Sequence, residues 1–268
     1  MHNQHLHTVC ESAQCPNRRE CFQRGTATIM ILGNICTRKC RFCAVQSGAP
    51  QTVDSDEPRR AAELVKKLRL RHAVITSVTR DDLSDGGASV FAETITEIRK
   101  SAGNETTVEV LTPDFQGSEK ALTVVLQSAP DVFNHNLETV ERLQATVRPQ
   151  ADYRRSLDVL KFAALFPRPK VVKSGLMAGM GEDDDELLQA MRDLLAAGCQ
   201  TLTIGQYLAP SRHHLPVHRF VPPETFEEYR RKALAMGFKE VASGPLVRSS
   251  YMADSFFMNA ISGKTEKN

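Results

Sequence analysis

The sequence predicts an α/β protein with a parallel sheet covered by helices. Helical and strand periods alternate from residue 57 onward, and a strand followed by a helix recurs about six times, the order of parallel sheets joined by helical crossovers. Polar residues also collect at or just past the C-terminal ends of the strand candidates, in TSVTRDD, FNHNLE, KSGLM and GQYL. Barrels and open doubly wound sheets both place ligand chemistry there, so both architectures fit.

Taken in order, TATIMILG (26–33) is the first strand. EPRRAAELVKKLRL follows from residue 57 with Ala61, Leu64, Val65 and Leu68 at i, i+3, i+4 and i+7, one face of a helix. The further strands are HAVITSV (72–78), TVEVL (107–111), DVFNHN (131–136), KVVKSG (170–175), QTLTIGQYL (200–208) and FKEVASG (238–244). Helical segments lie near 88–101, 118–128, 137–165, 183–196 and 224–236. No internal repeat, low-complexity tract or long Gly/Ser linker interrupts them. Residues 1–25 are irregular and cysteine-rich, and 210–223, PSRHHLPVHRFVPP, carries four prolines.

The chain has 268 residues, 41% of them hydrophobic and 25% charged, a composition of folded rather than disordered proteins. A net charge of +2 without blocks of cations gives nucleic acid binding no support. No apolar run approaches the roughly 18 residues of a membrane helix, and MHNQHLH lacks the features of a signal peptide. A cytoplasmic protein is expected, or one of an organelle matrix after processing. Its seven cysteines are then reduced rather than disulfide-bonded. Six stand at positions 10, 15, 21, 36, 40 and 43, while Cys199, within LLAAGCQTLTI, reads as a small buried hydrophobe.

GNICTRKCRFCAV (33–45) spaces Cys36, Cys40 and Cys43 as C-x3-C-x2-C, directly after the first strand. A closed structural zinc site takes four ligands, commonly as two pairs. A 4Fe-4S cubane has four corners, so three thiolates leave one iron open to another molecule. Cys10, Cys15 and Cys21 form a second triplet, C-x4-C-x5-C, which matches no zinc ribbon or two-cluster ferredoxin spacing. A zinc site completed by a distant residue remains an alternative at either triplet.

C-x3-C-x2-C with Phe42 before its last cysteine resembles the signature of the radical S-adenosylmethionine (SAM) superfamily. HTVCESAQCPNRREC, TATIMILGNICTRKCRFCAV, ITSVTRDDLSDGGA, EVLTPDF, NHNLETV, KSGLMAGMGE, LTIGQYLAPS and GPLVRSSY together resemble the lipoyl synthase family, over residues 7–251. The resemblance implies a partial (β/α)6 TIM-like barrel at 26–209. An N-terminal arm, 1–25, and a C-terminal extension, 210–268, would hold an auxiliary cluster. It also implies two 4Fe-4S clusters: one on Cys36, Cys40 and Cys43 with SAM on its open iron, the other on Cys10, Cys15, Cys21 and Ser250 of RSSY. Ser249 is the alternative fourth ligand. The implied reaction inserts sulfur at the sixth and eighth carbons of a protein-bound octanoyl-lysine. These C–H bonds are unactivated, so the cofactor must supply radical chemistry. Two SAM are consumed per product, and the auxiliary cluster gives up the sulfur.

The resemblance further implies octanoylated lipoyl domains of 2-oxoacid dehydrogenases and the glycine cleavage H protein as substrates. A flavodoxin or ferredoxin would supply electrons, and an iron-sulfur carrier would rebuild the cluster. Phe42 is expected to contact SAM, with Thr76 or Ser77 at its methionyl end, Asn136 and Glu138 at its ribose and amino groups, and Lys173 at its carboxylate. Asn136 reads equally as the N-cap of a following helix, Arg80, Asp81 and Asp82 as a local ion-pair set, and Glu182–Glu186 as a favourable helix start. His213, His214 and His218 read as a wall near the substrate entrance rather than as metal ligands. Family members commonly carry a longer N-terminal extension with a Pro-Trp-Leu type segment. Here six residues precede HTVC and there is no tryptophan, which bears on shielding of the auxiliary cluster and not on its ligands.

Overall fold

The computed structural model describes residues 6–8, 15, 17–103 and 105–262. In chain order the first elements are β1 (His7–Thr8), α1 (Arg18–Gln23), β2 (Thr26–Ile31), β3 (Ile35–Cys36), β4 (Gln46–Ser47), α2 (Glu57–Lys67), β5 (His72–Ser77), α3 (Ala88–Ala102) and β6 (Thr107–Leu111). They are followed by α4 (Glu119–Gln127), β7 (Val132–Asn134), α5 (Gln144–Val147), α6 (Tyr153–Ala164), β8 (Val171–Ala178), α7 (Asp184–Ala196), β9 (Thr201–Gln206), α8 (Pro223–Met236), β10 (Glu240–Gly244) and α9 (Ala253–Ser262).

The main sheet runs β1-β2-β5-β6-β7-β8-β9-β10. Its strands from β2 to β10 are parallel, and β1 lies antiparallel on β2 with His7 opposite Met30. β10 pairs β9, and no pairing joins it back to β1 or β2, so the barrel is partial and open. β2 and β9 are buried along their whole length, as strands covered on both faces must be. The helices bury one stripe each: α2 turns in Ala61, Leu64 and Val65, and α3 turns in Phe91, Ile95 and Ile98. Leu68, expected on the same stripe as Val65, follows the last turn of α2 and is 38% exposed.

One expected helix is broken. Residues 137–165 contain a 3-10 turn at Glu141–Leu143, the short α5, and then α6. Pro149 disfavours helical backbone at the residue before it, and Arg148 stands at φ −133, ψ 69. The chain restarts where the Asp152 side chain accepts from Arg155 N, an N-cap. The acidic start of α7 is a capping box between Asp183 and Glu186. At the opposite edge, α9 packs Phe257 and Ala260 against Val132 and Val171, the first residues of β7 and β8. It therefore covers the N-terminal edge of the sheet and leaves the C-terminal edge to the loops.

Candidate active site

The cysteine loop leaves the sheet at the C-terminal end of β2. Leu32 N and Gly33 N donate to the buried Glu57 carboxylate at 2.6 and 3.3 Å, which fixes the exit. Cys36 Sγ accepts from Arg38 N at 3.4 Å and Thr79 N at 3.3 Å, and Cys43 N donates to Cys40 O at 3.1 Å. Burial raises the Cys40 thiol and pushes Cys43 up to about 11. Both therefore stay protonated until a cation draws the thiolate out. Among the described residues, no three His, Cys, Asp or Glu side chains gather tightly enough for a single metal ion. A cubane asks for another arrangement, one thiolate on each of three irons. With amide donors already aimed at sulfur, this donor set fits a 4Fe-4S cluster.

Arg38, between the first two cysteines, fastens the loop. It is 5% exposed, and its guanidinium meets Asp81 at 2.7 and 2.8 Å and Asp114 at 2.6 and 3.0 Å. Asp81 follows β5 and Asp114 follows β6, so one planar fork ties the loop to two strand ends. Burial alone would raise the Asp114 carboxyl, but Arg38 holds it far below the usual range. Within TRDD the local pair is Arg80 with Asp82, at 2.8 Å. The sequence held no signal for Arg38 and Asp114, because a pair 76 residues apart leaves no periodic trace.

Phe42 packs with Val147, Met180, Tyr207 and Leu215 beside the loop. His214 links the proline-rich segment to it: Nε2 donates to Cys43 O at 3.1 Å while Nδ1 accepts from Ser211 Oγ at 2.9 Å. Glu182, expected only as part of a helix start, is buried and accepts from Gly179 N and Met180 N at 2.7 and 2.9 Å.

Across the strand ends, Thr76 Oγ1 is committed to Leu111 O at 2.9 Å, whereas Ser77 Oγ is buried with no partner. Thr112 Oγ1, Asn134 Oδ1 and His135 Nε2 are also buried and unpartnered. These atoms at adjacent strand ends leave hydrogen-bonding capacity that a polar ligand could use. His135 donates Nδ1–H to Thr112 O at 2.8 Å and is neutral, since burial and then Arg148 push it down to about 4. Asn136 caps no helix. Its Nδ2 donates to Glu138 Oε1 at 3.1 Å, and burial raises the Glu138 carboxyl. Glu138 takes φ +71 and bridges to β8 through Glu138 N to Gly175 O and Met177 N to Glu138 O, each 2.9 Å. A Cβ at Gly175 would stand 2.8 Å from Thr203 Oγ1 and 2.9 Å from Asn136 Oδ1, so glycine makes room for Asn136 over the strand.

Lys173 is not brought to these residues as a free charge. Its ammonium is 2% exposed and meets Glu109 at 3.1 and 3.4 Å, beside His72 and under Phe257 of α9. Burial would raise Glu109, but Lys173 and then the His72 bond bring it down to about 2.

Cys10 lies outside the described residues. Cys15 and Cys21 are described, and the C-terminal segment comes to them. Asn17 Nδ2 donates to Leu246 O at 2.6 Å, and Arg24 Nη2 donates to Ser255 Oγ at 2.7 Å. Arg248 lies within charge range of Cys15, and Tyr251 within that of Cys21. A Cβ at Gly205 would collide with Val247 O, so glycine in β9 admits the backbone just before RSSY to the sheet. Ser249 Oγ accepts from Asn134 Nδ2 at 3.0 Å and donates to Asn136 Oδ1 at 2.9 Å. Ser250 has no hydrogen-bond partner among the described residues.

A sequence model of the Radical SAM superfamily matches residues 30–194. The fold is shared with methylornithine synthase (TM-score 0.57, 12% identity, 80% of this chain and 70% of that one). HydG, a maturase of the FeFe-hydrogenase, shares it too (TM-score 0.60, 14% identity, 88% of this chain and 62% of that one). The chain is thus a radical SAM protein, and membership implies a 4Fe-4S cluster and SAM. It is 57% identical over 252 residues to the lipoyl synthase of Caldanaerobacter subterraneus subsp. tengcongensis, covering 94% of this chain and 88% of the relative. It is 58% identical over 254 residues to that of Acidithiobacillus ferrooxidans, covering 94% and 80%. The chain belongs to the lipoyl synthase family, radical SAM enzymes that insert sulfur into lipoyl-domain substrates. No described helix is long and apolar enough to cross a membrane.

Proposed function

We propose that this chain inserts two sulfur atoms, at the sixth and eighth carbons of a protein-bound octanoyl-lysine, between two 4Fe-4S clusters. The first is held by Cys36, Cys40 and Cys43, the second by Cys10, Cys15, Cys21 and Ser250. The observation that carries this reading is the meeting of the two chain ends: Asn17 with Leu246 and Arg24 with Ser255, which bring Arg248 within charge range of Cys15. When bound, the first cluster with SAM supplies hydrogen abstraction and the second supplies sulfide, one SAM for each carbon.

The chain's own residues orient and exclude water. Ser77, Asn136 and Glu138 offer polar atoms to SAM, and Phe42 with Tyr207 and Leu215 makes the apolar wall beside the loop. Arg148, which donates to Asn136 O and Leu137 O at 3.2 and 3.1 Å and keeps a buried unpartnered Nε, stands beside Cys40 as a cation for a carboxylate. Lys173, neutralised by Glu109, does not take that part. The Ser249 hydroxyl is spent on Asn134 and Asn136, which favours Ser250 as the oxygen ligand. An alkoxide among thiolates is a hard and unusual iron ligand, suited to a cluster that is dismantled.

The test is anaerobic incubation of the reconstituted protein with SAM, a strong reductant and an octanoyl-lysine peptide. A gain of two sulfurs in peptide mass, with 5′-deoxyadenosine, is the expected result. Deoxyadenosine without any peptide change would overturn the substrate assignment and leave the radical half standing.

A further inference from the structure

A polar chain crosses the barrel interior, buried at its lower end and partly exposed at Ser249, Asn136 and Glu138, and the proposed chemistry uses none of its lower members. Lys173 Nζ and His72 Nε2 donate to Glu109, at 3.1 Å each. Asn134 Nδ2 donates to Glu109 Oε1 at 2.8 Å and to Ser249 Oγ at 3.0 Å. Ser249 Oγ then donates to Asn136 Oδ1 at 2.9 Å, and Asn136 Nδ2 to Glu138 Oε1 at 3.1 Å. Lys173, Glu109, Asn134 and His72 are each at most 2% exposed.

The direction of this chain is dictated by charge. A carboxylate accepts hydrogen bonds and donates none. With Lys173 beside it, Glu109 is a carboxylate, so the Asn134 amide must turn its nitrogen, not its oxygen, toward Glu109. That nitrogen carries a second N–H, and geometry sends it to Ser249. Ser249 must then present a lone pair to Asn134 and its own proton to Asn136. The C-terminal segment, which otherwise rests on the sheet by backbone contact at Gly205, is thereby fixed in register at one hydroxyl.

We propose that Asn134 is a positioning residue for the auxiliary cluster: oriented by the Lys173–Glu109 pair, it pins Ser249 and so sets where the adjacent Ser250 hydroxyl stands. The inference rests on the reading above that Ser250 is a ligand. It assigns the buried pair a task, fixing the sense of an amide, rather than a contact with substrate. A shift of the backbone at Ser249, and with it of Ser250, strains the two hydrogen bonds of the Ser249 hydroxyl, and such networks are coupled.

The experiment measures iron release to a ferrous chelator from the reconstituted full chain, with a Cys15→Ala variant to identify the phase belonging to the auxiliary cluster. Asn134→Ala and Ser249→Ala are each expected to speed that phase about tenfold, the size of one buried hydrogen bond. The double variant should release no faster than either single one, and Ser249→Thr, which keeps the hydroxyl, should stay near the parent rate. The phase from Cys36, Cys40 and Cys43 should not change. Unchanged release in both single variants, or multiplicative effects in the double one, would overturn the inference. If Asn134→Ala does not fold, Ser249→Ala at its partly exposed site still decides. About four irons per parent chain instead of about eight would overturn the two-cluster reading itself, an outcome distinct from two clusters insensitive to Asn134.

Discussion

The loop bearing Cys36, Cys40 and Cys43 and the arm bearing Cys15 and Cys21 are held by different means. The loop is continuous in sequence and is fastened by Arg38 to the ends of β5 and β6, with its exit fixed by Glu57. The arm is fastened to residues about 230 positions away, through Asn17 with Leu246 and Arg24 with Ser255. The first site is thus anchored to strand ends by contacts that need no cluster. The second is assembled from both chain ends, Asn17 and Arg24 from one and Leu246 and Ser255 from the other.

Removing one thiolate from each site separates the two most sharply. Cys40→Ala should abolish 5′-deoxyadenosine formation, while Cys15→Ala should leave it intact and stop sulfur insertion, both read by mass spectrometry. Equal loss of both activities in two folded variants would erase the division of labour. Next in size is Arg38→Met, which takes the cation from Asp81 and leaves the buried Asp114 with only the partly exposed Arg155 at 3.4 Å. Breaking a buried pair on one side costs about 3–5 kcal/mol, so urea unfolding of the apo protein should move by that amount. Arg38→Lys, which keeps the charge and loses the fork, should fall between.

The interior between the two sites should respond to acid. His135 titrates at about 4 in the fold against 6.5 ordinarily, so its contribution is complete above 6.5 and is lost as pH falls toward 4. Glu109, at about 2 against 4.5, contributes fully above 4.5 and loses that contribution as pH falls toward 2. The unfolding midpoint of the apo protein should therefore fall steadily on acidification from neutral pH, and His135→Gln should flatten the limb between 6.5 and 4. The smallest effect is Asn17→Ala, worth about 1 kcal/mol. It should raise hydrogen exchange in α1 and around Leu246 and leave the cysteine loop unchanged.

Local pattern made much of this legible. The alternation of strand and helix periods gave β2, β5 to β10 and their crossovers, because each is a local property of fewer than twenty residues. It failed at 137–165, where helical composition runs through Pro149 and the backbone before a proline overrides it. The cysteine spacing and Phe42 pointed to the loop because a cluster takes its ligands from a short segment. Thr76 and Ser77 could not be told apart until the structure spent one hydroxyl and left the other.

By itself, then, the sequence determined the parallel α/β order, the placement of polar residues at strand ends and the grouping of cysteines in two triplets. All of these are encoded over short distances. Three-dimensional packing alone joins Arg38 to Asp81 and Asp114, pairs Lys173 with Glu109, and binds Ser249 to Asn134 and Asn136. Each of these pairs remote positions whose side chains are individually ordinary. Burial makes them specific: inside the barrel a charge or amide must find its partner, and which partner it finds is set by where the strands bring the chain.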